Sequence, residues 1–317
     1  MALLLREKDV EQLLDMPTAL ACVERAFTEL GNGRATNQPR TRIHQKHGGL
    51  HMMSAALPAF GVIGFKAYTW FTSGSKFLVN LYHSETGELL AIIEADRLGQ
   101  IRTGAASGIA TRWMAREDAR TVGIFGTGYQ AQSQLQAVCA VRKIERVRAF
   151  SRRPDRRDVF CKTMEEELKI EVQAVPEARA VVEGSDIVIT ATTAVEPLFD
   201  GDWIEPGTHL NVIGGNLLGR AEVDITTVVR SGRIVVDSIE QAKAEAGEFL
   251  KVVQRGLMYW EKTVELGSVV TGRTKGREST DEITFFKSLG IAAEDLAVGA
   301  TVYERALAQR LGERILT

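Results

Sequence analysis

The sequence predicts an α/β protein, with a doubly wound parallel sheet in its second half and an α+β domain ahead of it. Three observations carry this. Short apolar runs alternate with helix-like stretches from about residue 118 onward. The first such run, Thr121 to Phe125, ends in a glycine turn that opens a helix. Residues 38–93, in contrast, read as successive strand-like runs with no helix between them.

Taken in order, residues 7–31 read as two short helices. Pro17 sits where a helix can begin, and Leu20, Val23, Phe27 and Leu30 recur at helical spacing until Gly31-Asn32-Gly33 stops it. Strand-like runs follow at Leu50 to Ala55, Val62 to Trp70, Lys76 to His83 and Leu89 to Ile93, the last two joined by a hairpin turn at Ser84-Glu85-Thr86-Gly87. Asp96 is placed to cap a long helix, whose stretch Gly104-Ala105-Ala106-Ser107-Gly108 is small enough to admit another backbone or a ligand.

Gly126-Thr127-Gly128-Tyr129-Gln130-Ala131 follows the strand at 121–125 as G-x-G-x-x-A. The first glycine permits the tight turn, the second lets a pyrophosphate approach the backbone, and Ala131 lets helix and strand pack closely. The helix N-terminus then offers unpaired N–H groups to phosphates. Strand, turn and helix together predict a Rossmann-type dinucleotide site. Further strands are expected at 146–150, 170–174, 186–190, 207–215 and 233–237, then a charged helical stretch from Ser238 to Gly276. A last strand and helix close the chain, the helix returning to the N-terminal domain. Ligands in such sheets lie beyond the carboxyl ends of the strands, which puts the loops at 126–131, 151–153, 191–193 and 214–216 along one crevice. Where an acidic residue at the end of the second strand would favour NAD, this chain has Ser151-Arg152-Arg153. That chemistry suits a 2′-phosphate, hence NADP, with NAD the alternative.

Composition narrows the class. A net charge of −2 gives no sign of nucleic acid or an anionic membrane as partner. Cys22, Cys139 and Cys161 are far apart and outside any Cys/His cluster, which argues for a reducing compartment and against structural zinc. After Met1 the chain has four apolar residues before charges begin, too few for a signal peptide or membrane helix, so a cytoplasmic protein is expected.

The substrate chemistry must come from elsewhere. Lys66 lies in the apolar run GVIGFKAYTW, where an unpaired buried charge is costly, so it must reach an edge or find an anion. Arg40, Arg42 and Arg102 could join it as a carboxylate clamp or serve as ordinary surface ion-pair partners. Asp224 follows the loop at 214–216 and is read either as a proton-exchanging carboxylate or as the N-cap of a helix at Ile225. His51 is a further site candidate, and His209 is read as structural.

These pieces together resemble the ornithine cyclodeaminase/mu-crystallin family along nearly the whole chain. The resemblance rests on Gln38-Pro39-Arg40, Gly64-Phe65-Lys66, Arg102-Thr103-Gly104-Ala105, the glycine turn with Gln130 and Ala131, and Ala191-Thr192-Thr193. It extends to Glu222-Val223-Asp224 and Ser288-Leu289-Gly290…Glu294-Asp295-Leu296. It implies a homodimer with an NAD(P)-binding domain at residues 118–299 and a discontinuous α+β substrate and dimerisation domain at 1–117 plus 300–317. It also implies that Arg40 (or Arg42), Lys66 and Arg102 hold a substrate carboxylate, with Lys66 and Asp224 as catalytic residues and His51 at the substrate. Thr103, Gly126, Gly128, Tyr129, Gln130, Ala131, Ser151, Arg152, Arg153, Thr190, Ala191, Thr192, Gly214, Asn216 and Ser288 would meet the cofactor. Ornithine cyclodeaminases carry a glutamate near the position of His51, whereas this chain has no carboxylate between Arg40 and Lys66. The expected activity is therefore NAD(P)H-dependent reduction of a 2-imino acid, or the reverse oxidation of an α-amino acid. The alternatives are a redox-neutral cyclodeaminase that releases ammonia, and a non-catalytic NADPH- and small-ligand-binding protein of the crystallin type.

Overall fold

Two sheets organise the computed structural model, which describes residues 2–315. They fall in two compact units, Met1–Ala106 with Gly290–Thr317, and Ser107–Leu289. The divisions lie at 106/107 and 289/290, against the 117/118 and 299/300 expected from the sequence.

In the first unit, strands Gly48–Leu57, Val62–Phe71, Gly74–His83 and Leu89–Glu94 pair antiparallel in sequence order. Gly87, at φ +72°, sits in the hairpin turn between the last two. The edges escaped sequence reading. Ala2–Leu5 is a strand, parallel to Leu89–Glu94 and antiparallel to Glu313–Ile315, and Thr36–Asn37 and Thr41–Gln45 line the far edge. Two to five residues are too short to show a period, so only their partners define these strands.

Register decides what this sheet presents. Lys66 lies opposite Met53 on one side and Val79 on the other, and Val79 lies opposite Ile93. The alternation along a strand buries Val62, Gly64 and Lys66 and turns Ile63 and Phe65 to the other face. Helix Ala292–Gln309 covers the buried face, its Gly299 placed so that a side chain there would meet Val79, Leu81 and Ile93. Helix Met16–Gly31 packs against that helix. The opposite face keeps Met52, Ile63 and Leu78 exposed. Asp96 is the first residue of helix Asp96–Met114, not a cap outside it. The cap comes from far away, because the Asp96 and Arg97 amides donate to the Glu7 carboxylate at 2.6 and 3.0 Å.

The second unit is a wholly parallel sheet with strands in the order 171–174, 146–150, 121–125, 187–190, 209–212, 284–287, 233–236 and 264–265. The chain moves outward from Thr121–Phe125 in one direction, then returns to build the other side, so the topological switch lies between 121–125 and 187–190. One apolar cluster under the sheet contains Val122, Ile124, Leu135 and Val147; the other contains Val188, Leu210, Phe249 and Phe285. Two details depart from expectation. Thr284–Lys287 inserts between 209–212 and Arg233–Val236. The stretch 238–276 is broken into helices Ile239–Glu245, Gly247–Gln254 and Leu266–Val270, with a short strand at Val264–Glu265.

No helix among the described residues is long and apolar enough to cross a membrane, and no cluster among them could hold a metal ion. All three cysteines are free thiols.

Candidate active site

In the second unit a cleft of about 530 Å³ opens where strands 121–125, 146–150, 187–190 and 209–212 end. Gly126, Gly128, Tyr129, Gln130, Ser151, Arg152, Arg153, Ala191, Thr192 and Gly214 line it together. Gly126 has φ +100°, and a Cβ there would stand 2.3 Å from the Ala191 carbonyl oxygen, so only glycine fits. Gly128 caps helix Tyr129–Val141 with no side-chain hydrogen bond, and a Cβ on it would enter open space. The N-cap residue therefore puts no side chain over the start of that helix, where Gly128, Tyr129 and Gln130 border the cleft. Ala131 is buried behind the turn. Thr127 donates to Ser151 Oγ at 3.1 Å, and Ser151 donates to the Arg153 carbonyl at 3.2 Å, so the serine shapes the bend that presents the arginines. Arg156, which sequence reading missed, joins Arg152 and Arg153 from the first turn of the next helix.

These residues fit a dinucleotide. The bare backbone of Gly128 at the start of the helix and the buried, unpartnered Oε1 of Gln130 leave room and a polar group for phosphates. Four other expected contacts are not among the residues lining this cleft. Thr190 is fully buried, Asn216 sits in the loop after strand 209–212, and Ser288 is buried at the end of strand 284–287. Thr103 belongs to the other unit and donates back to the Gly99 carbonyl of its own helix at 2.7 Å.

Asp224 is not among the residues lining this cleft. It caps the helix Ile225–Arg230: Oδ1 accepts from the amide and hydroxyl of Thr227 at 2.7 and 2.8 Å, and Oδ2 accepts from the Gly201 amide at 3.1 Å. Of the two readings the sequence left open, this geometry is that of the cap.

In the first unit, Arg40, Lys66 and Arg102 come together in a buried cluster. Asp295 Oδ1 accepts from Lys66 Nζ at 2.8 Å and from Arg102 Nε at 3.0 Å, and Arg102 Nη1 reaches Glu294 Oε2 at 2.6 Å. Arg40 donates to the Gly290 carbonyl at 2.9 Å. The backbone makes room for these cations: a Cβ at Gly99 would lie 2.8 Å from Lys66 Nζ, and one at Gly290 would lie 2.4 Å from Arg102. Burial pushes the Lys66 pKa below the usual lysine value, helped by Arg102 and Arg40 and opposed by Asp295. Glu294 and Asp295 appeared in the sequence only as part of a family motif. Nothing local marked them as partners of residues some 200 positions away.

Arg42 is half-buried and directly across from His51, which in turn lies across from Tyr68, two residues along the strand from Lys66. His51 is held at both ring nitrogens. Trp70 Nε1, which can only donate, is 3.0 Å from Nε2, and Nδ1 is 2.8 Å from Tyr68 Oη. Nε2 is therefore the acceptor and Nδ1 carries the hydrogen. Burial, then Arg42 and Arg40, pushes the His51 pKa down to about 4, which keeps the ring neutral. In the second unit His209 is fully buried, with Nδ1 2.9 Å from Thr284 Oγ1.

A parallel sheet with a glycine turn at its switch point defines a Rossmann-type fold, and the first unit adds a buried cluster of three cations and two carboxylates. The sequence model of the ornithine cyclodeaminase/mu-crystallin family matches residues 1–310, and the chain belongs to that family. It is 34% identical to alanine dehydrogenase of Archaeoglobus fulgidus, over 99% of this chain and 98% of the relative. Among solved structures it resembles the Δ1-pyrroline-2-carboxylate reductase of Thermococcus litoralis in complex with NADH and L-proline (TM-score 0.94, 38% identity, 99% of this chain and 100% of that one). It also resembles an archaeal alanine dehydrogenase dimer with bound NAD (TM-score 0.93, 34% identity, 99% of each chain).

Proposed function

We propose that this protein is an NAD(P)H-dependent reductase of 2-imino acids that runs in reverse as an amino-acid dehydrogenase. The carrying observation is the buried cluster in which Arg40, Lys66 and Arg102 face Asp295 and Glu294. These five side chains hold one positive charge more than negative, and a substrate carboxylate restores the balance in a site shielded from water. When bound, the dihydronicotinamide supplies the hydride for the imine carbon. Arg40 is the clamp arginine, because Arg42 lies beside His51 instead. Lys66, whose proton is loosened by burial, protonates the imine nitrogen, one bond away from the carbon that bears the carboxylate. Asp224 has no step in this scheme; one of its oxygens caps helix Ile225–Arg230 and the other accepts from the Gly201 amide. The relatives that reduce pyrroline-2-carboxylate and oxidise alanine support the reading.

Ser151, Arg152, Arg153 and Arg156 at the cleft favour NADP, since no carboxylate ends strand 146–150 to take a ribose hydroxyl. The exposed Met52, Ile63 and Leu78 on the outer sheet face, with Phe65 stacked on Tyr82, support a homodimer through that face, as does the dimeric archaeal relative. Free cysteines and the absence of a membrane-spanning helix among the described residues are in keeping with a cytoplasmic enzyme.

The test is to mix the protein with NADPH or NADH and pyrroline-2-carboxylate, or 2-oxo acids with ammonia or methylamine, and to follow the reduced nicotinamide. Consumption is expected, faster with NADPH. Silence with every member, or ammonia released from ornithine with no net change in the nicotinamide, would overturn the proposal.

A further inference from the structure

Glu222 is fully buried, and four donors surround its carboxylate. Oε2 accepts from Thr190 Oγ1 at 2.6 Å and from the Gly214 amide at 2.7 Å. Oε1 accepts from the Thr192 amide at 2.7 Å and from Thr192 Oγ1 at 2.6 Å. An ionised carboxylate has about four lone-pair sites, so it is saturated and leaves nothing to offer a substrate. What it does is tie together the loops after strands 187–190 and 209–212, and both Thr192 and Gly214 line the dinucleotide cleft. Gly214 completes the fit, since a Cβ there would lie 2.4 Å from Glu222 Oε1. The Glu222 amide in turn donates to Glu248 Oε1 at 3.3 Å, and Glu248 is paired at 3.0 Å with Lys287, both fully buried.

We infer that Glu222 is a positioning residue for the nicotinamide half of the cofactor, an assignment that rests on the dinucleotide reading of the cleft. In a doubly wound sheet the strands on the two sides of the switch point serve the two mononucleotide halves. The adenosine half is built from the strands at 121–125 and 146–150, which Glu222 does not touch. The loops it fixes belong to the other half. Glutamine cannot replace it: its amide nitrogen would face the Thr192 or the Gly214 amide, a donor against a donor that cannot turn away.

The experiment compares the wild type with Glu222→Gln by titrating each with NADH or NADPH and with AMP, alongside a melting curve. The variant is expected to bind the dinucleotide about tenfold more weakly or worse while binding AMP as the wild type does. Its KM for the dinucleotide should rise, with the KM for the imino acid unmoved. Thr190→Val deletes one donor at constant shape and should shift the balance the same way by less, which keeps the inference testable should Glu222→Gln not fold. Equal losses for dinucleotide and AMP, or no loss for either, would overturn it. A wild type that binds neither ligand would overturn the cofactor reading itself, a different and recognisable failure.

Discussion

The two candidate sites, one in each unit, are made in opposite ways. The cleft of the second unit is built from backbone: glycine at 126 and 128, a helix start with no side-chain cap, and loops pinned from behind. The cluster of the first unit is built from side chains, with three cations and two carboxylates brought from four separate segments into the interior. A backbone site tolerates little change of shape, and a charge cluster tolerates little change of balance. Substitutions should therefore fail differently on the two sides.

The largest separation is expected at Lys66. Lys66→Met should lower kcat/KM for the imino acid by about 10²–10⁴-fold, with dinucleotide affinity unchanged; a parallel loss of dinucleotide binding would erase the contrast. Next is Asp295→Asn, which leaves Lys66 and Arg102 without their shared counter-charge. Breaking a buried pair in this way costs about 3–5 kcal/mol, to be read as a lower urea midpoint. The glycines sharpen the comparison from the other side. Gly126→Ala should destabilise the fold by about 1–3 kcal/mol, because its φ is positive and its surroundings are closed. Gly128→Ala meets open space, so it should keep the melting temperature and weaken dinucleotide binding alone. The smallest effect belongs to His209, whose pKa burial pushes down to about 3. The unfolded chain binds that proton more readily, so stability falls as pH drops below the unfolded value. The loss should be about 1 kcal/mol between pH 6.5 and 5.5, and a His209→Asn variant should show less of it in pH-dependent melting.

The same contrast explains what could be read from the sequence. The dinucleotide turn occupies six consecutive residues, and each has a local geometric reason, so the Rossmann-type sheet and its crevice were legible. Lys66 was legible as a problem, a charge in an apolar strand, but its solution at Asp295 was not, because the pairing spans some 230 residues. Short edge strands such as Ala2–Leu5 and the insertion of Thr284–Lys287 between earlier strands exist only through their partners. Asp224 shows the converse limit. Its position after a site loop suited a proton carrier and a helix cap equally, and the cap becomes visible only in its hydrogen bonds to Thr227.

That late insertion bears on how the chain can be made. During synthesis the ribosome delivers strands 209–212 and 233–236 long before Thr284–Lys287, so the central sheet waits with a gap between them. The N-terminal sheet waits longer still, for helix Ala292–Gln309 to cover its apolar face and for Asp295 to reach Lys66. Both units are thus completed only by the final tenth of the polypeptide. Contacts of such long sequence separation slow folding and expose apolar surface meanwhile. A chain released short of residue 290 would carry the whole dinucleotide turn yet lack the helix that closes the N-terminal core, making it a natural client for chaperones and proteases.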